Sequence, residues 1–390
     1  MNRRESNPES APATIRYLPG LESDVEHSAL NALHQAAGAR LRSGTGSPVP
    51  LTFGNVPKEY RAGVEGCALF DETDRGRIDV RGEESAVFLH GILASDVRSL
   101  GEGQGQPSLL LSSKGKVLFA FDLFRTSEGA WLSVAAGDVP GLLSALDTYR
   151  FAEKVAFEDG TSASAPLTLA GPEAARVLRE AVGVELPERE FSWTRATWRS
   201  AEIRLARLPV AGSPGALLDA GPALAADLWD ALRGAGATPA GLVARDCLRV
   251  EAGAALPHED VDENVYPQEA RLERAFSLEK GCYVGQEVVA KIDTYGGLNK
   301  RLVALKISHD DPVPRGTRLY RTEDGERRDL GVVTSWAYSF VLDTGLVLAY
   351  VKRKSQAVGT RFEIGDGPST AEVVAIPVRS GAIPVTGAIE

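Results

Sequence analysis

The chain reads as an α+β protein in which a large region of mixed helices and strands is followed by a small β-barrel. Two observations predict this. From about residue 50 to residue 300, helical apolar spacing alternates with period-two strand patterns, whereas after about residue 300 only short strand-like runs remain, separated by turns. The length agrees: 390 residues with 43% hydrophobic content can bury a large core and suit two or three structural units. The expected divisions are a flexible tail over 1–22, an α+β region over 23–300 in one or two subdomains, a barrel over 301–378, and a loosely ordered tail over 379–390.

The elements follow in order. Ser23 and Glu26 form a capping-box pattern, and Val25, Ala29, Leu33 and Ala36 recur at helical spacing up to Gly38. The stretch 43–50 is a loop by composition. Residues 83–93 predict a helix with Ala86, Leu89 and Leu93 on one face. Val117, Phe119, Phe121 and Leu123 alternate as a half-buried strand does. Gly171-Pro172 to Gly183 predicts a helix, with Pro172 at its first position, Ala174, Val177, Leu178 and Ala181 as its apolar stripe, and Gly183 as its C-terminal cap. Ile203 and Leu205 mark another strand, and Leu224, Leu228 and Leu232 a helix ending near Gly234. In the barrel region the strand-like runs are 301–307, 331–336, 346–351 and 371–376.

Charge and composition narrow the functional classes. There are 43 basic and 53 acidic residues, a formal charge of -10, so a broad nucleic-acid-binding face is not expected. The longest apolar runs are far short of the ~20 residues of a membrane helix. Arg3 and Arg4 precede no apolar core, so the start does not read as a secretory signal. The three cysteines, Cys67, Cys247 and Cys282, are scattered and form no CxxC pair. That opposes a disulfide framework or cysteine-based zinc site, predicts no metal centre, and suits a reducing cytoplasm.

One constellation stands out: Lys280-Gly281-Cys282-Tyr283-Val284-Gly285-Gln286-Glu287. A thiol is reactive as thiolate, which nearby positive charge favours, and Lys280 lies two residues away. Gly281 and Gly285 leave the backbone open, and Gln286 and Glu287 add polar groups to the same turn. A buried, inert cysteine in a glycine-bounded turn explains the spacing equally well. Cys67 and Cys247 sit in apolar settings and read as core. Arg245, beside Asp246 on an expected helix, either faces a ligand carboxylate or belongs to an ordinary ion pair. His258 among Glu259, Asp260, Asp262 and Glu263 reads as an acidic surface loop rather than a cation site. Ser112 to Lys116 lacks the full phosphate-loop spacing, and there is no GxGxxG or GxSxG.

The octapeptide 280–287 resembles the signature of the YgfZ family of tetrahydrofolate-binding proteins, relatives of the glycine cleavage T-protein, an aminomethyltransferase. The resemblance extends over residues 27–378. Segments 33–40, 66–71, 77–82, Gly171-Pro172 and 331–335 are similar to T-protein segments, and 244–253 resembles the superfamily's ARDxLRxEAG run. The resemblance implies a T-protein-like, folate-binding α+β region around a central opening that holds the pterin, with a small β-barrel behind it. It implies tetrahydrofolate or a one-carbon derivative as cofactor, and it puts Arg245 where a T-protein arginine contacts folate.

Two departures bear on function. Phe119 and Ala120 stand where T-proteins carry a paired aspartate, which speaks against aminomethyl transfer by that route. Leu217 replaces an expected folate-contacting glutamate. With the T-protein carboxylates gone and Cys282 gained, the resemblance favours a tetrahydrofolate-binding accessory protein. Such a protein supports assembly or repair of iron–sulfur clusters in client enzymes, including some that modify tRNA. On this expectation Cys282 is the functional thiol, faces the folate cavity, and is activated by Lys280. The alternatives are a folate-dependent aminomethyltransferase or demethylase, and a non-catalytic interaction module on the same fold.

Overall fold

The computed structural model describes residues 29–42 and 48–383. The expectations for the tail 1–22, the cap at Ser23 and Glu26, most of the loop 43–50 and the last seven residues lie outside that range. Eight helices occur among the described residues: α1 (Ala29–Ala36), α2 (Val56–Glu65), α3 (Ser85–Ile92), α4 (Val139–Tyr149), α5 (Ala174–Val182), α6 (Pro222–Gly234), α7 (Leu242–Ala252) and α8 (Gln286–Tyr295). None is long and apolar enough to cross a membrane.

The α+β region is built on two sheets. The strands 105–111, 117–125, 129–135, 75–81 and 156–159 form a five-stranded sheet in that order. A six-stranded sheet orders 193–198, 201–207, 215–220, 165–170, 68–71 and 238–239. The chain leaves the second sheet at Asp71, turns through Glu72 to Asp74, and enters the first at Arg75. That short turn lets charged side chains from both sheets meet. Helices α3 and α4 cover the outer face of the first sheet through Phe88, Leu89, Leu142 and Leu146, and α5 and α6 cover the second through Val177, Leu178, Leu228 and Trp229.

The C-terminal unit is a closed six-stranded barrel, ordered 300–307, 344–352, 326–339, 318–323, 361–364 and 370–374. Val303, Leu305, Val347 and Val373 fill its interior, while Leu302, Ala304, Leu348 and Tyr350 of the same strands pack outward into the core shared with the sheets. Both faces of these strands are buried, so their apolar runs are nearly continuous. Sequence patterning missed the strands 318–323 and 361–364, whose exposed residues are charged or polar.

Three local expectations change. Helix α5 begins at Ala174, so Pro172 belongs to the preceding turn; Gly171 there has φ +123° and a Cβ would meet the Gly66 carbonyl oxygen at 2.4 Å. Gln286 and Glu287 open α8 instead of extending the glycine-bounded turn. Residues 379–383, expected in a loose tail, are anchored: Arg379 is buried, donates to the Gly212 carbonyl and Ser213 Oγ at 3.2 Å, and lies 3.9 Å from Glu251.

Helix α7 is the axle of the assembly. Nearly all of it is buried, including Asp246, Arg249 and Glu251. Arg249 donates to Asp246 (2.6 Å), Asp260 (3.0 Å) and Ser335 of the barrel (3.0 Å). Asp260 also accepts from Leu256 N–H (2.9 Å), Ser335 (2.7 Å) and Thr334. Glu251 accepts from Tyr60 of α2 (2.6 Å), Ser339 (2.7 Å) and Val341 N–H (3.2 Å). Every donor replaces water lost on burial, so these charges join the sheet region to the barrel. Glu251→Ala would strand Tyr60, Ser339 and the Arg379 cation together. We expect a loss of about 3–5 kcal/mol in unfolding free energy by urea denaturation; a loss below about 1 kcal/mol, the level of an exposed pair, would contradict this role.

Candidate functional site

A cavity of about 260 Å³ lies between the two sheets and α7. Its charged lining comes from four places: Glu72 and Arg75 from the inter-sheet turn, Asp122 from strand 117–125, Arg245 and Arg249 from α7, and Arg274 from the short 3₁₀ turn Glu273–Ala275. Leu109, Phe191, Leu208, Leu217 and Leu272 supply apolar wall. A larger, wider cleft of about 610 Å³ opens between α8 and the barrel, lined by Glu279, Ile292 and Arg301 among others. We favour the smaller cavity as the site, because it gathers opposed charges over apolar wall between the two sheets and α7.

Arg245 Nη1 donates to Glu72 Oε1 at 2.8 Å, and Thr168 Oγ1 donates to the same oxygen at 3.3 Å. Burial alone would raise the Glu72 pKa. The Arg245 and Arg75 guanidiniums and these hydrogen bonds outweigh it and hold the carboxyl below the usual range. Asp122 goes the other way: burial lifts its pKa, Arg75 offsets only part of that, and Glu72 adds to the rise. Arg75 is fixed by Ser133, whose hydroxyl accepts from Nε at 2.9 Å and whose carbonyl accepts from Nη2 at 3.0 Å. Its contact with Asp122 Oδ2 is longer, 3.4 Å. The two carboxyls are therefore pushed in opposite directions, Glu72 toward its ionised form and Asp122 toward its protonated one.

Arg245, expected at the ligand site, lines this cavity. Leu217 does too, apolar where a polar contact was expected. The octapeptide does not: none of residues 280–287 is in the lining, and Cys282 is exposed. The reason is local packing. Gly285 (φ +81°) sits so close to the hairpin turn at Ser112–Gly115 that a Cβ would meet the Ser112 carbonyl oxygen at 2.4 Å, which pins this loop to the hairpin. Lys280, expected to activate the thiol, donates through Nζ to the His90 carbonyl and lies 5.1 Å from the centre of the Tyr283 ring. Burial lowers its pKa to about 8. His90 Nε2 returns a hydrogen bond to the Lys280 carbonyl at 3.1 Å, and Tyr283 is buried. Glu287 is exposed and pairs with Lys291 at 2.6 Å. His258 is paired with Asp138 at 2.8 Å.

The residues that sequence reasoning passed over are Glu72, Arg75 and Asp122. One signal for Asp122 was available: it lies two positions beyond Ala120 and shares its face of the strand. Phe119 points to the opposite face, into the cluster with Phe121 and Leu123 under α4.

Two measurements check this geometry. Cys67 and Cys247 are buried, and burial pushes both thiols up to about 12, so a thiol reagent should titrate one cysteine in the native chain and three after unfolding; rapid native reaction of all three would contradict the burial. For Asp122 the folded carboxyl is held above its unfolded value. The native chain then binds more protons in the intervening window, and stability falls as pH rises through it. Asp122→Asn should remove that loss, so its urea midpoint should gain on wild type from acid to neutral pH; a pH-independent difference would show that the carboxyl is not raised.

Comparison with known proteins agrees with the fold and revises the function. Residues 30–280 match the GCVT N-terminal domain and residues 300–378 the glycine cleavage T-protein C-terminal barrel domain. An aminomethyltransferase of Rubrobacter xylanophilus is 33% identical over 353 residues, 88% of this chain and 91% of that one. Another, of Herpetosiphon aurantiacus, is 29% identical over 90% of this chain and 98% of that one. The crystal structure of glycine cleavage system aminomethyltransferase T from Bartonella henselae superposes with a TM-score of 0.81 at 27% identity, covering 91% of this chain and 98% of that one. These near-full-length relatives overturn the expectation of an iron–sulfur accessory protein centred on Cys282, and none of them supports iron–sulfur client proteins as partners. Domain content, fold and relatives agree that the chain belongs to the glycine cleavage T-protein family.

Proposed function

We propose that this protein is a folate-dependent one-carbon transferase of the aminomethyltransferase type, with a reduced folate seated in the cavity between the sheets. One observation carries the reading. Opposed guanidinium and carboxyl groups converge in an otherwise apolar cavity, in a chain whose near-full-length relatives are named aminomethyltransferases.

The residues fit the ligand. A reduced folate is a flat heterocyclic amine joined through an aromatic amide to glutamate. It needs apolar walls for its rings, acceptors for the pterin N–H groups, and cationic donors for its carboxylates. Leu109, Leu208 and Leu272 offer the walls, Glu72 and Asp122 the acceptors, and Arg245 and Arg274 the donors. When bound, the folate would supply the amine that takes up the one-carbon unit. Glu72 holds the Arg245 fork in place, and the apolar walls keep water from a carbon fragment that would otherwise hydrolyse. Leu217 supplies no hydrogen bond, so binding rests the more on Arg245.

The likeness of residues 280–287 to YgfZ proteins stands as sequence kinship within the family, and we attach no cluster-assembly role to it. Scattered cysteines, one of them exposed, suit a reducing, cytoplasmic setting.

Calorimetric titration with tetrahydrofolate tests the reading. We expect saturable binding, weakened about 10- to 100-fold in Arg245→Ala, and transfer of the one-carbon unit from an aminomethyl-loaded lipoyl carrier protein. No binding by the wild type would favour the non-catalytic interaction module instead.

A further inference from the structure

We propose that Asp122 is the proton-carrying catalytic residue of this cavity. The inference rests on the folate reading above and deepens it.

Geometry comes first. Along strand 117–125, Ala120, Phe121 and Asp122 line the cavity, with Asp122 the one carboxyl among them, while Phe119 packs under α4, where a Cβ on Gly141 would lie 3.2 Å from its ring. Phe119 itself is not part of the lining. Ala120 offers only a methyl group, which leaves open space beside the Asp122 carboxyl, about 6.5 Å further along the strand.

The surroundings suit proton transfer. Asp122 makes one ion-pair contact, with Arg75 at 3.4 Å, and among the described residues its Oδ1 takes no hydrogen bond. The other charged groups of the cavity are Glu72, Arg245, Arg249 and Arg274. Glu72 is committed to Arg245 and Thr168, and Arg249 to the aspartates and the barrel. Of the two cavity carboxyls, only Asp122 combines a free oxygen with a raised pKa. Two neighbouring carboxyls pushed in opposite directions divide the work, one as fixed charge and one as acid–base group.

The chemistry balances. When the acceptor amine exchanges its N–H for an N–C bond, the nitrogen lone pair forms the new bond and a proton must leave; the Asp122 carboxylate accepts it. When the donor's C–X bond breaks, its electron pair departs on X, which needs a proton; the Asp122 carboxylic acid returns one. The residue ends as it began, and no oxidant or reductant is required.

The experiment is proton exchange on ligand binding. Tetrahydrofolate is titrated calorimetrically into the full-length chain in buffers of different ionisation enthalpy, from acid to neutral pH. We expect the wild type to take up protons on binding, because a ligand over the carboxyl excludes more water. Asp122→Asn should bind saturably with that uptake lost. Unchanged uptake in Asp122→Asn would overturn the assignment while leaving the folate reading intact. Absence of wild-type binding would overturn the folate reading and this inference with it. If Asp122→Asn does not fold, Asp122→Ser is judged by the same criterion. In transfer assays the variant should lose about 10²- to 10⁴-fold in kcat; wild-type kcat would overturn the assignment.

Discussion

The buried guanidinium of Arg249 and the carboxylates it meets hold helix α7 to the barrel. A charge removed from water is tolerated only when its hydrogen-bonding capacity is met. Arg249 meets it with Asp246 on its own helix, Asp260 on the following loop, and Ser335 on the barrel. Glu251, further along the same helix, does so with Tyr60, Ser339 and Val341. The cost of breaking any member keeps α7 in a single register against α2 and the barrel. Because α7 also carries Arg245 into the cavity, that register positions the site.

The cavity inherits its character from the turn between the sheets. Asp71 to Arg75 spans the gap between the two sheets, so Glu72 can reach Arg245 on α7 while Arg75 reaches Ser133 and Asp122 on the other sheet. Low local polarity strengthens each of these pairs. It also separates the two carboxyls, since Glu72 has two strong partners and Asp122 a single long one. The resulting asymmetry is a property of the junction rather than of either sheet alone.

The octapeptide 280–287 lies outside the cavity lining. Of its two glycines, Gly285 serves close packing: it lies against the Ser112–Gly115 turn, and a Cβ on Gly115 would in turn come within 3.0 Å of Val288, whereas a Cβ on Gly281 would meet nothing within 4 Å. Lys280 and His90 exchange hydrogen bonds across the same contact. These interactions fasten α8 to the first sheet and leave Cys282 exposed, outside the lining of the cavity between the sheets.

Much of the fold was legible in the amino-acid order, because local periodicity reports which face of an element is buried. The strand at 117–125, the helices ending at Gly183 and Gly234, and the change to a β-rich unit near residue 300 were all readable this way. So was the arginine at 245, through its resemblance to a superfamily segment. Two strands of the barrel were not, since 318–323 is largely polar and 361–364 is only four residues long, too short for its alternation to stand out. The carboxyl pair was not legible either. Glu72 and Asp122 are 50 positions apart in sequence, and nothing local says that a turn between two sheets will place one near the other, or that burial and unequal pairing will drive their proton affinities apart. Sequence by itself determined most of the elements and the T-protein superfamily, because these depend on near neighbours and motif order. Tertiary structure alone decided which way each cavity carboxyl is shifted and which cysteine meets solvent, because desolvation and ion pairing act through space.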